Sequence, residues 1–527
     1  MNQFILPAGF EAQQVVELLE NETAVATSAI QAVITESPTS EQVSIYDTFD
    51  WRLYNQKFAL FSVGSQFTLR DLVEGKTAVQ LELDELPQFV WDMPPGLFRA
   101  KLAPILSMRA LLPMANVSHQ KTVHRLLNED EKTVAWVMYE VFAPVRNGET
   151  ALLQLLSIQP VRGYVKAETQ LVDLCHQQNF EATDDEIIPM LLMACGHEPG
   201  SYSAKLNVDL KPDMRADAAV NVILRYLFQV MKMNEQYIKQ DVDTEFLHDY
   251  RVSVRRTRSA LSQVNAVFPE AYTQRFKKDF KFIGKLSNQL RDLDVYLLAE
   301  ADYKAKLPEF LQEDIHPLFE YLQSKREDAL QAVISELDSA EYRRIVQDWE
   351  LFLEEPPTKD KTAVNATMPI LELAQKRIYK RYQRIIKVGN AILKDQQDEL
   401  LHALRLECKN LRYLMEFFAT LFPPDQISIL IRQLKQLQDN LGDFNDFCVQ
   451  EVYLLHVGRE MPIRGQASRD ALIAIGCLVG ALHQRREQVK SEFAGTFTSF
   501  AAPQNKALFT DLFAPHKKDN KKKGGKA

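Results

Sequence analysis

Residues 248–261 read HDYRVSVRRTRSAL, and residues 402–417 read HALRLECKNLRYLMEF. His248, Arg251, Arg255 and Arg258 of the first stretch recur 154 residues later as His402, Arg405, Lys409 and Arg412, at the same offsets of 0, +3, +7 and +10. Those offsets follow one face of a helix with ~3.6 residues per turn, so each stretch lays an imidazole and three cations along one stripe. A second echo follows each. KLSNQLRDLDV, residues 285–295, and QLQDNLGDFND, residues 436–446, share Leu286 with Leu437, Leu290 with Leu441 and Asp292 with Asp443, and match Leu293 with Phe444. Two helices repeated in the same order predict two bundles of similar topology, whose basic stripes could join into one positive surface for a polyanion.

The segments around these stretches read as helices. From Met214 onward, residues 218–233, 246–268, 272–301, 307–336, 340–352, 370–395, 397–421, 425–456 and 469–493 each admit an amphipathic helix. Pro269, Pro308, Pro356, Pro357, Pro369, Pro423 and Pro424 fall at or near the breaks, where a missing N–H ends a helix. Residues 1–180 read differently. Short β-branched or aromatic runs at 77–83, 133–142 and 152–160 predict strands, NEDEK at 128–132 predicts a hairpin turn, and 165–178 and 184–194 predict helices, the second capped by Thr183 or Asp184. The Pro, Gly and Ser of 199–212 mark a linker. The division expected is therefore 1–198, the linker 199–212, a helical region 213–500 (bundles 213–355 and 365–500), and a segment 501–527 with a lysine-rich tail predicted to be disordered.

The net charge of −9 conceals an asymmetry. Residues 1–200 hold 13 Lys and Arg against 26 Asp and Glu, whereas the remainder holds 49 against 45. A polyanion would be repelled by the first part and held by patches on the second. Overall acidity, with no aromatic platform interleaved among the stripes, argues against nucleic acid as the partner. No run reaches the ~18 apolar residues of a membrane span. The opening MNQFILPAGFEAQQ lacks the pattern of a secretory signal, and five scattered cysteines without a CxxC fit a reducing compartment, so a cytoplasmic location is expected.

The paired motifs of both halves resemble the CHAD domain over about residues 213–500. YDTFDWRLYNQKFALF at 46–61, with looser likenesses in VQLELD at 79–84 and PVRGYVKAE at 160–168, resembles the CYTH or triphosphate tunnel domain. The fold class implied is α+β and multidomain: a degenerate antiparallel β-barrel, CYTH-like, followed by an all-α, internally repeated pair of four-helix bundles. The tunnel resemblance departs where its chemistry lies. No Glu-x-Glu-x-Lys strand opens residues 1–20, and no Arg-x-Arg follows Tyr46–Phe61.

The CHAD resemblance implies binding of inorganic polyphosphate, without catalysis, in a bacterial-type cytoplasm and at polyphosphate granules. The candidate binding residues are His248, Arg251, Arg255, Arg256, Arg258, His402, Arg405, Lys409 and Arg412, widened by Lys281, Lys285, Arg377, Arg381 and Arg384 at helical spacing. Arginine forks would clamp phosphoryl oxygens, and lysine would act as a mobile point charge. Asp292, Asp294, Asp439, Asp443 and Asp446 suit the orientation of those arginines better than the ligation of a metal. No cofactor is expected. A protein partner or a homodimer stays open. The alternative is a divergent inorganic triphosphatase in the first domain, which would need Mg²⁺ or Mn²⁺ held by carboxylates such as Glu82 and Asp84 beside a dense set of cations.

Overall fold

The computed structural model describes residues 2–24, 28–145, 151–184, 186–354, 360–395, 397–463 and 465–515. Its contacts divide the chain into Met1–Ser203 and Ala204–Ala527. The lysine-rich tail, and the break at Pro356 and Pro357, lie outside the described residues.

The first unit is built on strands β1 (Asn2–Ile5), β2 (Ala32–Thr35), β3 (Thr39–Asp47), β4 (Phe58–Val63), β5 (Gln66–Asp71), β6 (Lys76–Glu82), β7 (Leu112–Leu127), β8 (Thr133–Pro144), β9 (Leu153–Pro160) and β10 (Glu181–Thr183). They form one antiparallel sheet in the order β10-β1-β9-β8-β7-β3-β4-β5-β6, with β2 also on β7. Helices α1 (Ala12–Thr23), α2 (Arg52–Asn55), α3 (Leu97–Leu106), α4 (Val165–Gln177) and α5 (Ile187–Ala194) interrupt it. The 128–132 turn closes the β7–β8 hairpin: Asn128 Oδ1 accepts the N–H groups of Asp130 and Lys132, and Glu131 takes the left-handed conformation at φ 58°. The residue before α5 is Glu186, not Thr183 or Asp184.

YDTFDWRLYNQKFALF folds as strand, helical turn and strand, β3–α2–β4. The buried Asp47 carboxylate ties the turn together by accepting the N–H groups of Thr48, Leu53 and Tyr54 at 2.7, 3.0 and 3.0 Å. The expected barrel, however, does not form. The hydrogen-bonded path ends at β10 and β6, which do not pair among the described residues. β10 is three residues long, and β6 buries none of its residues and ends in Lys76 and Glu82, the features of a protected edge rather than of a seam.

One face of the sheet is filled from both ends. Val15 and Leu19 of α1 and Leu171 and Leu174 of α4 pack with Phe4, Val137 and Ile158. Phe98, Leu102 and Leu106 of α3 pack with Leu60, Phe67 and Leu69. Between the two clusters, Ser44 stands opposite Ser62 and Asn116, and Gln42 opposite Ser118, so this face is apolar or neutral where a tunnel enzyme needs charge.

The second unit comprises α6 (Ala216–Lys239), α7 (Thr244–Gln263), α8 (Glu270–Leu286), α9 (Asn288–Leu298), α10 (Glu300–Lys304), α11 (His316–Leu337), α12 (Ala340–Glu354), α13 (Ile370–Ile392), α14 (Asp398–Phe417), α15 (Pro424–Glu460), α16 (Gln466–Phe500) and α17 (Pro503–Phe513). The predicted helix 272–301 is broken at Ser287, whose hydroxyl accepts a bond from Arg251. The predicted helix 307–336 begins only at His316, because Pro308 opens a short 3₁₀ turn. Residues 503–513 were expected outside the bundles. They fold back as α17, with the Phe509 ring stacked 3.9 Å from that of Tyr382 on α13.

In the first part α6 packs on α7, α7 on α8 and α9, and α9 on α11; in the second α13 packs on α14, α14 on α15, and α15 on α16. Among the contacts that join these parts, α6 meets α13, α7 meets α14, and α11 meets α16. The segments entering α6 and α13 also bond directly, Ala216 N–H to Met368 O at 2.9 Å and Ile370 N–H to Met214 O at 2.8 Å.

Gly389 permits a close contact between α13 and α16. A Cβ there would lie 2.0 Å from the buried Phe497 ring of α16. Gly480, also helical, would meet nothing within 4 Å. Gly389→Ala is expected to lower stability by about 1–3 kcal/mol through overpacking, and Gly480→Ala to raise it by up to ~1 kcal/mol through helix propensity. Urea unfolding midpoints of the two variants check the opposite signs.

Candidate functional site

Helix α7 starts where Asp243 accepts the N–H groups of Glu245 and Phe246, which places His248 in its early turns and the cationic stripe along its length. Residues from α7 and α14, with others from α15, line a cleft of about 550 Å³. Its lining from the two stretches is the imidazole of His248 with Arg255 and Arg256 on α7, and Arg405, Lys409 and Arg412 on α14. The fold thus brings together six of the candidate residues.

The remaining eight lie outside that lining. Arg251 turns to the α8–α9 junction and donates to Ser287 Oγ and Asn288 Oδ1, both at 3.0 Å. Arg258 lies against Gly284 of α8, and Lys281 and Lys285 are exposed on the same helix. Arg381 and Arg384 bracket the Glu407 carboxylate at the α13–α14 contact, and Arg377 donates to Asn265 O. His402 is exposed, its Nδ1 3.1 Å from Asn445 Oδ1. Helical periodicity identifies a cation's face but not whether a neighbouring helix uses that face for its own ion pairs.

The surface is also not continuously positive. Glu245, Asp249, Glu416, Asp439 and Asp446 line the same cleft. Glu416 is shared: Arg256 Nη2 lies 3.0 Å from one oxygen and Arg412 Nε 2.7 Å from the other. Asp446 lies 3.3 Å from Arg405 Nη2, as expected of an acid that orients an arginine. His248 accepts a bond from Arg291 at Nδ1, 3.1 Å away, so its ring proton sits at Nε2. Sequence reading missed Lys205, Gln438 and Glu416 in this lining. Lys205 comes from the segment taken as a linker, and no periodicity marks it.

Two cations of the cleft, Arg255 and Lys409, have no carboxylate at ion-pair distance among the described residues, and they occupy the same +7 position of the two stretches. Burial and the like charges of Arg405 and Arg255 push the Lys409 ammonium down to about 8, against the opposing pull of Asp446. Unfolded lysine titrates near 10.4. Between those values the unfolded chain holds the extra proton, so this group's contribution to stability rises as pH climbs above about 8.

In the first unit, Glu82 and Asp84 are exposed on and just beyond the edge strand β6, away from any dense set of cations. Among the described residues no cluster of three His, Cys, Asp or Glu side chains suits a metal ion. No described helix is long and apolar enough to cross a membrane.

Residues 222–455 match the family model described as CHAD domain, a span that contains all of α7 and α14. The CHAD resemblance of the sequence is thus supported over the helices that build the cleft. The structure is similar to the crystal structure of the CHAD domain from the plant Ricinus communis, at 23% identity, TM-score 0.47, and coverage of 56% of this chain and 95% of that one. It is also similar to PptA from Streptomyces chartreusis, at 14% identity, TM-score 0.44, and coverage of 54% and 100%. No curated protein matches the chain.

Titration of the Lys409 side chain by NMR is expected to give a midpoint near 8. Arg255→Gln removes one repelling charge and is expected to move that midpoint upward; an unchanged or lower midpoint would show that the two cations do not share the cleft.

Proposed function

We propose that the helical unit binds inorganic polyphosphate without turning it over, through the cleft between α7 and α14. The reading rests on one observation above the others: Arg255 and the half-buried Lys409 line one cleft with no carboxylate of their own among the described residues, and burial together with the like charges of Arg405 and Arg255 holds Lys409 below the usual lysine range. A chain of phosphates, each carrying about one negative charge, relieves that repulsion and releases its own counterions on binding. Arg405 supplies a fork to phosphoryl oxygens, with Asp446 holding it in place. Arg256 and Arg412 already share Glu416, so they widen the positive field rather than form the first contacts. The CHAD match over both helices supports the same ligand, because that family resemblance implies polyphosphate. Two helical bundles related by the repeated motif, with their stripes meeting at α7 and α14, complete the proposal. A cytoplasmic protein tethering a partner to polyphosphate granules is the role it fits.

Arg255→Gln with Lys409→Gln is expected to weaken long-chain polyphosphate binding by at least about tenfold, or ~1.4 kcal/mol, with melting behaviour kept. Arg381→Gln with Arg384→Gln is expected to weaken it far less, since those cations are committed to Glu407. Filter binding of the two folded variants decides between them, and a greater loss in the Arg381 and Arg384 variant would relocate the site. Affinity is also expected to fall several-fold between pH 7 and pH 9, because bound phosphate favours charged Lys409 and the free site loses that proton near 8. Lys409→Arg is expected to flatten the profile.

A further inference from the structure

A second cavity, of about 550 Å³, opens on the filled face of the first-unit sheet, within the ~300–1,000 Å³ range of small-molecule sites. Ser44 and Ser62, paired across β3 and β4, lie in it. The rings of Tyr46 and Phe67, 5.9 Å apart between centroids, form one wall, and Asp84 and Glu85 stand exposed at the lip. No Lys, Arg or His lines it. Its chemistry is therefore the reverse of that of the cleft between α7 and α14.

Two independent features point to a ligand. Asp84 and Glu85, adjacent in sequence, have no cation at ion-pair distance among the described residues, and they belong to a part of the chain with twice as many acids as bases. Ser62 is only 5% exposed, lines the cavity, and its hydroxyl makes no hydrogen bond to a described residue. Its hydroxyl is therefore free to bond a donor that enters the cavity.

We propose that this cavity binds a linear aliphatic polyamine in its ammonium form. An ammonium group brings three N–H donors and no acceptor, and the cavity answers with acceptors: the two carboxylates, the Ser44 and Ser62 hydroxyls, and the Gln42 amide oxygen, whose own N–H is given to Asn116 at 2.7 Å. The faces of Tyr46 and Phe67 favour a cation over an anion, and the methylene spacers suit the same rings. A phosphate would meet two carboxylates and no cation. A neutral sugar would find hydrogen-bond partners but gain nothing from paired charges.

Calorimetric titration of the full chain, free of polyphosphate, with spermidine, maltose and tripolyphosphate tests this. Saturable spermidine binding at one site per chain is expected, weaker at high salt, with neither other probe bound there. Asp84→Asn with Glu85→Gln is expected to weaken it at least about tenfold, and Ser62→Ala several-fold. Glu17→Gln with Glu20→Gln, on α1, serves as the equal-charge control and is expected to leave binding unchanged. Melting curves confirm that each variant folds, and the buried but conservative Ser62→Ala stands independently of the charge changes. The proposal is overturned by the absence of saturable spermidine binding, by equal losses in the lip and α1 variants, or by maltose or tripolyphosphate binding that the lip variant weakens.

Discussion

Arg255, Arg405 and Lys409 line one cleft, where burial and the charges of Arg405 and Arg255 together lower the Lys409 pKa. At the intermediate dielectric of such a place, two unit charges ~4 Å apart repel by on the order of 4 kcal/mol, so a fold that holds them together has to offset the repulsion. The second unit does so unevenly. Glu416 neutralises Arg256 and Arg412, Asp446 reaches Arg405, and Arg255 and Lys409 are left without a carboxylate. Packing fixes the backbone of α7 and α14 regardless of this cost, which is the basis of the proposed anion site.

That arrangement needs a stiff frame, because a loose helix would swing its cations into solvent. The frame is visible in contacts remote from the cleft: the strand-like bonds between the segments entering α6 and α13, the close approach at Gly389, and the return of α17 onto Tyr382. The Arg381–Glu407–Arg384 cluster locks α13 to α14. Cations that look identical in sequence thus divide into those that hold helices together and those that face the cleft.

The first unit shows the same physics with the sign reversed. Its sheet stays open because both ends of the strand order are poor seams, and apolar clusters from α1, α4 and α3 fill the face that would otherwise line a tunnel. What is left of that face is serine, glutamine and aromatic ring, with carboxylates at the lip. Such a surface carries no Lys, Arg or His in its lining, which is why a cationic ligand is proposed for it.

Much of this was legible in the sequence. Period-3.6 patterning and proline breaks located the helices of the second unit, because an apolar stripe must be buried somewhere whatever the partner. The equal offsets after His248 and His402 singled out α7 and α14. The motif at 46–61 announced a strand, a turn and a strand, since Asp47 can close that turn by local bonds alone. Among the features not legible were the open sheet, the break at Ser287, the docking of α17, and the placing of Arg255 and Lys409, but not Arg251, Arg381 and Arg384, in the cleft lining. Each depends on which side chain arrives from a distant part of the chain. A sequence fixes the face on which a charge sits, because that is a matter of helical geometry within a few residues. Whether the charge is neutralised depends on the neighbour across the contact, and only the tertiary structure supplies that neighbour.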